Sequence, residues 1–154
     1  MQNWKHVLGI YHPKYQLVDE VRGYGSSLEF RLVPFRYPYT VNEIFDYYTA
    51  PATALYLAQM AYVYCYLQAM NATEIAIAIP AASNFQREQD AAKLRIASQN
   101  IRFSRPVAST ERVWASMRCN KFRWAQKNSY VNLIGNIGEG IHFTMLCCWI
   151  SSEE

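Results

Sequence analysis

Residues 49–62 read TAPATALYLAQMAY and lie in the longest uncharged run of the chain, Tyr47 to Thr73, bracketed by Asp46 and Glu74. Thr49 suits a helix N-cap, and Pro51 belongs in a first turn, where its missing N–H costs nothing. The pattern therefore predicts a helix from Ala50 to Met70. At about 1.5 Å per residue it would be roughly 30 Å long, enough to cross a bilayer. Its composition points elsewhere. Thr53, Gln59, Gln68, several Ala, and Tyr56, Tyr62, Tyr64 and Tyr66 dilute the Leu, Ile and Val content, and no Lys or Arg flanks either end closely. An uncharged helix of this kind is expected to be wrapped by protein on most sides rather than to span a membrane.

Outward from the helix, the 154 residues suit a single domain over 1–154, able to bury roughly two thirds of its unfolded surface. With 51% hydrophobic and 18% charged residues, twelve Tyr and seven Phe, the composition is that of a folded chain and excludes a disordered one. The opening residues MQNWKHVLGIYHPKYQ show no apolar stretch of signal-peptide length, so a cytoplasmic location is expected. Cys65, Cys119, Cys147 and Cys148 have no CxxC or His-spaced pattern, which predicts packed thiols and no metal site.

Residues 1–12 are ambiguous up to the break at Pro13. QLVDEVRGY (16–24) and LEFRLVPF (28–35) predict a hairpin through Gly25-Ser26-Ser27, with Leu28, Phe30 and Leu32 alternating against Glu29 and Arg31. After the long helix, TEIAIAIP and FQREQDAAKL suggest a second helical stretch broken near Pro80. LRIASQNIRF (94–103), RVWASMRCNKFRW (112–124), SYVNLIGNI (129–137) and IHFTMLCCWI (141–150) then read as strands, the last ones joined by short connections that imply antiparallel neighbours. The class is α+β, an antiparallel sheet with one helix against it. In the last strand both alternating sets are largely apolar, as expected if one face packs on the helix and the other meets a second subunit, so a homo-oligomer is expected. A strongly curved sheet folded around one central helix is the hot-dog fold.

The net charge is +3, yet nine of the fifteen basic residues fall between 93 and 127. That segment is a candidate anion surface, either solvated strand faces or a site for the phosphates of coenzyme A or a phosphopantetheine carrier, with Arg102 and Arg105 among the candidates. No GxxG loop, RNP-type motif or recognition-helix signature accompanies the charge, so nucleic acid is not expected as a partner.

Three stretches carry a resemblance to a known family. AQMAY (58–62) is similar to an Asn-Gln-Leu-Ala-Tyr run, IRFSRPV (101–107) to an Arg-Phe-Arg-Lys-Pro-Leu strand end, and HPKY (12–15) to a Glu-Pro-Tyr near the start, in the FcoT-like (type III) fatty-acyl thioesterases. These are hot-dog proteins found beside lipid and lipopeptide biosynthetic genes, and the order of elements agrees over most of the chain. The resemblance implies hydrolysis of fatty acyl thioesters carried on coenzyme A or an acyl carrier protein, with no cofactor beyond the carrier in the substrate. It also implies Tyr and Asn side chains around the helix start in place of a carboxylate base. Carried over, the family's tyrosines fall near Tyr39 and Tyr15 and its asparagines on Thr49 and Ala58. Ala58 makes no side-chain hydrogen bond and Thr49 offers a hydroxyl for an amide. Family members that add glycine to the β-carbon of an enoyl-carrier thioester offer a second activity, and the loss of both Asn positions leaves a non-catalytic acyl-binding protein as a third.

A helix N-terminus presents unpaired N–H groups and partial positive charge to a thioester oxygen, so Ala50 to Thr53, Pro51 excepted, are candidate oxyanion donors. Asp46 and Glu43 are the nearest carboxylates, as water-activating groups or as charges suited to a helix N-terminus. Tyr37, Tyr39, Tyr47 and Tyr48 are candidates to orient a thioester or line an acyl tunnel, or simply pack. Thr49 is expected to cap the helix and face substrate. Gln59 and Tyr62, three apart on one helix face, are either structural polar contacts or pocket lining. His142 has no acidic partner in sequence and reads as structural.

Overall fold

The computed structural model describes residues 3–35, 47–90, 93–125 and 127–150. Helix α1 runs from Ala50 to Met70 with Thr49 as N-cap and Pro51 in its first turn. Tyr56, Leu57, Gln59, Met60, Ala61, Val63, Tyr64 and Cys65 have no solvent exposure. These positions cover about two thirds of the way round the helix, and the remaining stripe, Leu55, Ala58, Tyr62 and Ala69, is half-buried. Among the described residues no helix is long and apolar enough to cross a membrane.

Six strands form one antiparallel sheet: β1 (Val18–Tyr24), β2 (Ser27–Leu32), β3 (Leu94–Phe103), β4 (Val113–Ala125), β5 (Asn128–Ile137) and β6 (Ile141–Ile150). Their order across the sheet is β1-β2-β4-β5-β6-β3. The hairpins β1–β2, β4–β5 and β5–β6 follow from the short turns between them. The β2–β4 and β3–β6 pairings join segments far apart in sequence, so β3 ends at the far edge rather than beside β4.

Inward-facing Phe30, Leu32, Ala115, Met117, Val131, Leu133, Ile137, Phe143, Met145 and Cys147 build the core against α1. In β6 the other alternating set is mixed: His142 and Thr144 are exposed, Leu146 and Ile150 half-buried and Cys148 buried. The expectation of an apolar second face is met only at the Leu146 to Ile150 end.

The side of α1 away from the sheet is closed by irregular chain. Lys5–Ile10 forms a 3-10 turn, as do Pro13–Tyr15, Glu74–Ala78 and Ala82–Asn84, and α2 is only Phe85–Asp90. The second helical stretch expected from TEIAIAIP and FQREQDAAKL is thus a tight turn and a short helix. Aromatic contacts fix this cover: the His6 ring meets Tyr66 at 4.9 Å, Tyr66 meets Phe85 at 5.5 Å, and Phe85 meets Trp149 of β6 at 5.3 Å. Gln89 Nε2 donates to the Val7 carbonyl, 2.8 Å, joining α2 to the first turn.

Four polar side chains of α1 anchor it to residues 15–33. Tyr56 donates to the Val33 carbonyl. Gln59 donates to the Tyr15 carbonyl and accepts from the Leu17 N–H, both 2.7 Å. The Tyr64 hydroxyl donates to the Ser26 carbonyl, 2.6 Å, and accepts from the Cys119 N–H, 2.9 Å. Gln68 donates to the Gly25 carbonyl, 2.8 Å. Polar groups removed from water must find such partners, which is why an uncharged helix carries them at these positions.

On the outer face of β1 and β2, charges are matched. Arg22 pairs with Glu29 and stacks 3.7 Å over Trp114. Arg31 pairs with Asp19 and Glu20, and Arg112 with Asp19. Burial raises the Asp19 carboxyl, but hydrogen bonds from Arg31 and Arg112 outweigh it and hold the group below its ordinary value.

Candidate active site

The start of α1 is pinned to the loop that follows β3. Tyr48 N–H donates to the Val107 carbonyl, 3.0 Å, and Tyr47 makes an antiparallel bridge with Ala108. That loop is fixed in turn by Ser104, whose N–H and hydroxyl both donate to the Gly140 carbonyl, 2.8 and 3.0 Å. Gly140 is required there, since a Cβ would stand 2.4 Å from the Arg105 carbonyl oxygen.

Thr49 has extended backbone and makes no side-chain cap bond. Its carbonyl accepts from both the N–H of Thr53, 2.9 Å, and the Thr53 hydroxyl, 2.8 Å. With Pro51 lacking an N–H, Ala50 and Ala52 are the first-turn amides outside the helix ladder. Ala50 is exposed and Ala52 buried, so Ala50 lies at the open end of the turn.

Tyr48 is the unusual neighbour. It is only 6% exposed, its hydroxyl is buried with no well-aligned hydrogen-bond partner among the described residues, and its ring lies 5.0 Å from that of Tyr56. Burial pushes its pKa up, and the adjacent Tyr56 hydroxyl works in the opposite direction. A buried hydroxyl left without a partner costs about 1–3 kcal/mol. Tyr48→Phe is therefore expected to leave the thermal midpoint unchanged or raise it, measured by calorimetry. A drop of several degrees would show a bond that the geometry lacks.

The other expected residues are spread out. Tyr15 is half-buried, 6.3 Å from Phe35, with Lys14 Nζ 4.8 Å over its ring. Gln59 has no exposure and commits both ends of its amide to the backbone of Tyr15 and Leu17, which favours the structural reading over pocket lining. Tyr62 is half-buried, and its pKa is raised by burial first and then by Cys147 and Cys65. Burial, followed by Tyr62, pushes the Tyr11 phenol up to about 12. Gln59 and Tyr62 stand about 14 and 18 Å along the helix from Ala50, the range of an acyl chain and not of a reacting carbonyl. Arg105 is exposed and ion-paired with Glu139. Arg102 is exposed and in register with His142, on the face of the sheet opposite to α1, so the structure does not bring it to the helix start. Tyr37, Tyr39, Glu43 and Asp46 lie outside the described residues.

Cys65, Cys119 and Cys147 are not poised as nucleophiles. All four cysteines are reduced, and burial, followed by the Glu74 carboxylate, pushes the Cys119 thiol up to about 11. Burial likewise raises Cys147 to about 12. A reactive thiol requires the opposite shift. What the sequence reading missed is the hold of residues 104–108 on the helix start, for which the Gly138-Glu139-Gly140 turn was the available signal.

No family model matches the chain, and no curated protein matches it. Among solved structures, a thioesterase superfamily protein of Shewanella loihica matches with a TM-score of 0.52 at 12% identity, covering 94% of this chain and 98% of that one. A thioesterase family protein of Silicibacter pomeroyi matches with a TM-score of 0.52 at 10% identity, covering 96% of each chain. At such identities the likeness is one of fold, and it agrees with the sheet order and the enclosed helix: the chain has the hot-dog fold.

Proposed function

We propose that the chain processes acyl thioesters at the start of α1, as a hydrolase of fatty acyl-CoA or acyl-carrier-protein thioesters of the FcoT-like type. The observation that carries this reading is the conjunction of exposed Ala50 at the helix N-terminus with the buried Tyr48 hydroxyl next to it, which has no well-aligned partner among the described residues. The N–H and the helix dipole would stabilise the oxyanion formed when water adds to the carbonyl carbon. Collapse of that intermediate breaks the C–S bond, and the thiolate leaves and takes up a proton. Thr49 is the candidate to face the same point, and Tyr39 and Asp46 are the candidates to orient the thioester and to activate water. Tyr15, Tyr37, Ala50 and Tyr62 are candidates to contact the acyl or pantetheine portion. A second reading, addition of glycine to a 2-enoyl thioester, is favoured by Ala58, a half-buried position with no hydrogen-bonding side chain.

A homo-oligomer belongs to the same proposal. Edge strand β3 has no strand partner on its outer side among the described residues, and Ile96 and Phe103 are 37% and 43% exposed.

Saturated and 2-enoyl thioesters, each with and without glycine, separate the readings. Thiol release from saturated substrates is the expected result, with Thr49→Ala and Tyr39→Phe each lowering turnover by about 10–100-fold. A mass gain that needs both enoyl substrate and glycine would favour the second reading. Turnover intact in both variants would remove the assignment, and light scattering at the mass of one chain would remove the oligomer.

A further inference from the structure

The outer face of the sheet is divided by charge. Over β1 and β2, acids and bases are paired, whereas β3, β4, β5 and β6 contain no Asp or Glu at any position. Arg118, Lys121 and Arg123 on β4 and Arg95 and Arg102 on β3 are exposed, and among the described residues none of them makes a salt bridge. Such a surplus on one face is not needed to solvate a sheet, since Asn, Ser and Thr also serve there.

Strand register places these cations in two rails. One row across the sheet runs Arg123, Tyr130, Cys148, Arg95, and the next runs Lys121, Asn132, Leu146, Ser98. A third runs Arg118, Ile134, Thr144, Asn100, and a fourth Ser116, Asn136, His142, Arg102. The cations thus occupy the outer columns and the uncharged residues the middle two. Three strand spacings separate the columns by about 14 Å, and four rows span about 20 Å. Between the rails a cavity of about 340 Å³ opens, lined by Ser98, Lys121, Arg123, Tyr130, Asn132 and Leu146.

We propose that this face is a docking surface for an acidic amphipathic helix of a partner protein. A helix is about 10–12 Å across and would lie between rails about 14 Å apart, with about 13 residues covering the rows. Its carboxylates, on the two flanks, would meet Arg118, Lys121 and Arg123 on one side and Arg95 and Arg102 on the other. A large apolar side chain from its underside would enter the cavity above Leu146 and Tyr130. A single phosphate does not suit the arrangement, because cations on separate rails cannot converge on it. A second copy of the chain does not suit it either, since a twofold contact would set this all-positive face against itself. The inference stands on charge and register alone and is independent of the thioester reading.

The test uses the intact chain and a fluorescein-labelled, stapled helical peptide of roughly 14 residues, built of Glu, Ala and Leu with glutamates flanking a leucine stripe. Fluorescence anisotropy should show binding that weakens at least about tenfold between about 50 and 300 mM salt. It should also weaken about tenfold in the Lys121→Glu/Arg123→Glu double variant, and measurably in Arg95→Glu on the opposite rail. Unchanged thermal midpoints confirm that these exposed substitutions leave the fold intact. Equal binding of the peptide with Gln in place of Glu overturns the proposal, as does an unaffected double variant. Sensitivity on the β4 rail only overturns the two-rail seating. Tighter binding of a duplex DNA of roughly 20 base pairs than of the peptide assigns the face to nucleic acid and overturns it as well.

Discussion

Gly135→Ala is expected to lower stability by about 3 kcal/mol or more, a fall in thermal midpoint of roughly 10 °C for a chain of this size. Gly135 sits on the inward side of β5, in register with Met117 of β4 and Phe143 of β6. A Cβ there would stand 1.9 Å from the Ser116 carbonyl oxygen and 2.7 Å from Cζ of Phe143. The aromatic ring has freedom to swing away, but the backbone carbonyl belongs to the neighbouring strand and moves only with it. Since β4 pairs with β2 on its other side, relief of the clash is transmitted to the hairpin as well. Calorimetry or denaturant titration checks this, and a midpoint within about 2 °C of the unaltered chain would show that β4 and β5 move apart at little cost.

Gln59→Ala is expected to cost about 2–4 kcal/mol, most of it from the groups left behind. The substitution strips the Leu17 N–H of its acceptor and the Tyr15 carbonyl of its donor in a place where water does not reach. Gln59→Glu is no rescue: a carboxylate still accepts from Leu17 but sets an oxygen against the Tyr15 carbonyl oxygen. The result decides between the two readings the sequence leaves open. A structural clamp loses stability first, and residues 15–17 become the fastest to exchange their amides. A pocket-lining amide loses turnover with stability intact.

The central helix is legible because its signals are local. Thr49, Pro51 and the absence of charge from Tyr47 to Thr73 set its limits without reference to the rest of the chain. The same holds for β5 and β6, joined by a short glycine turn. The position of β3 at the far edge is not local. It depends on a ladder with β6, some forty residues on, and LRIASQNIRF has no feature that names its partner. The cover over α1 was illegible for another reason: 3-10 turns such as Lys5–Ile10 have no hydrophobic period to read, and contacts such as Tyr66 with Phe85 hold them. Near the candidate site, the sequence identified the helix start, with Thr49 at the N-cap position though without a side-chain cap bond. Arg102, read as part of an anion surface or a solvated strand face, lies on the outer face away from that point; periodicity reveals that residues alternate but not which set faces in. The hydroxyl of Tyr48 was unreadable, since the lack of a well-aligned partner is a property of three-dimensional surroundings.

The anchoring of α1 through Tyr56, Gln59, Tyr64 and Gln68 is one-sided, reaching residues 15–33 and, through Tyr64, Cys119 of β4. Towards β6 the helix offers mainly apolar side chains, with Cys65 beside Cys147 and its thiol in reach of the Trp149 indole. The molecule therefore has a seam. Helix and hairpin are tied by hydrogen bonds, and the inner face of β5 and β6 meets the helix mainly through apolar side chains. A hydrocarbon chain entering that plane would exchange one set of mostly apolar neighbours for another while the strand ladders stay paired.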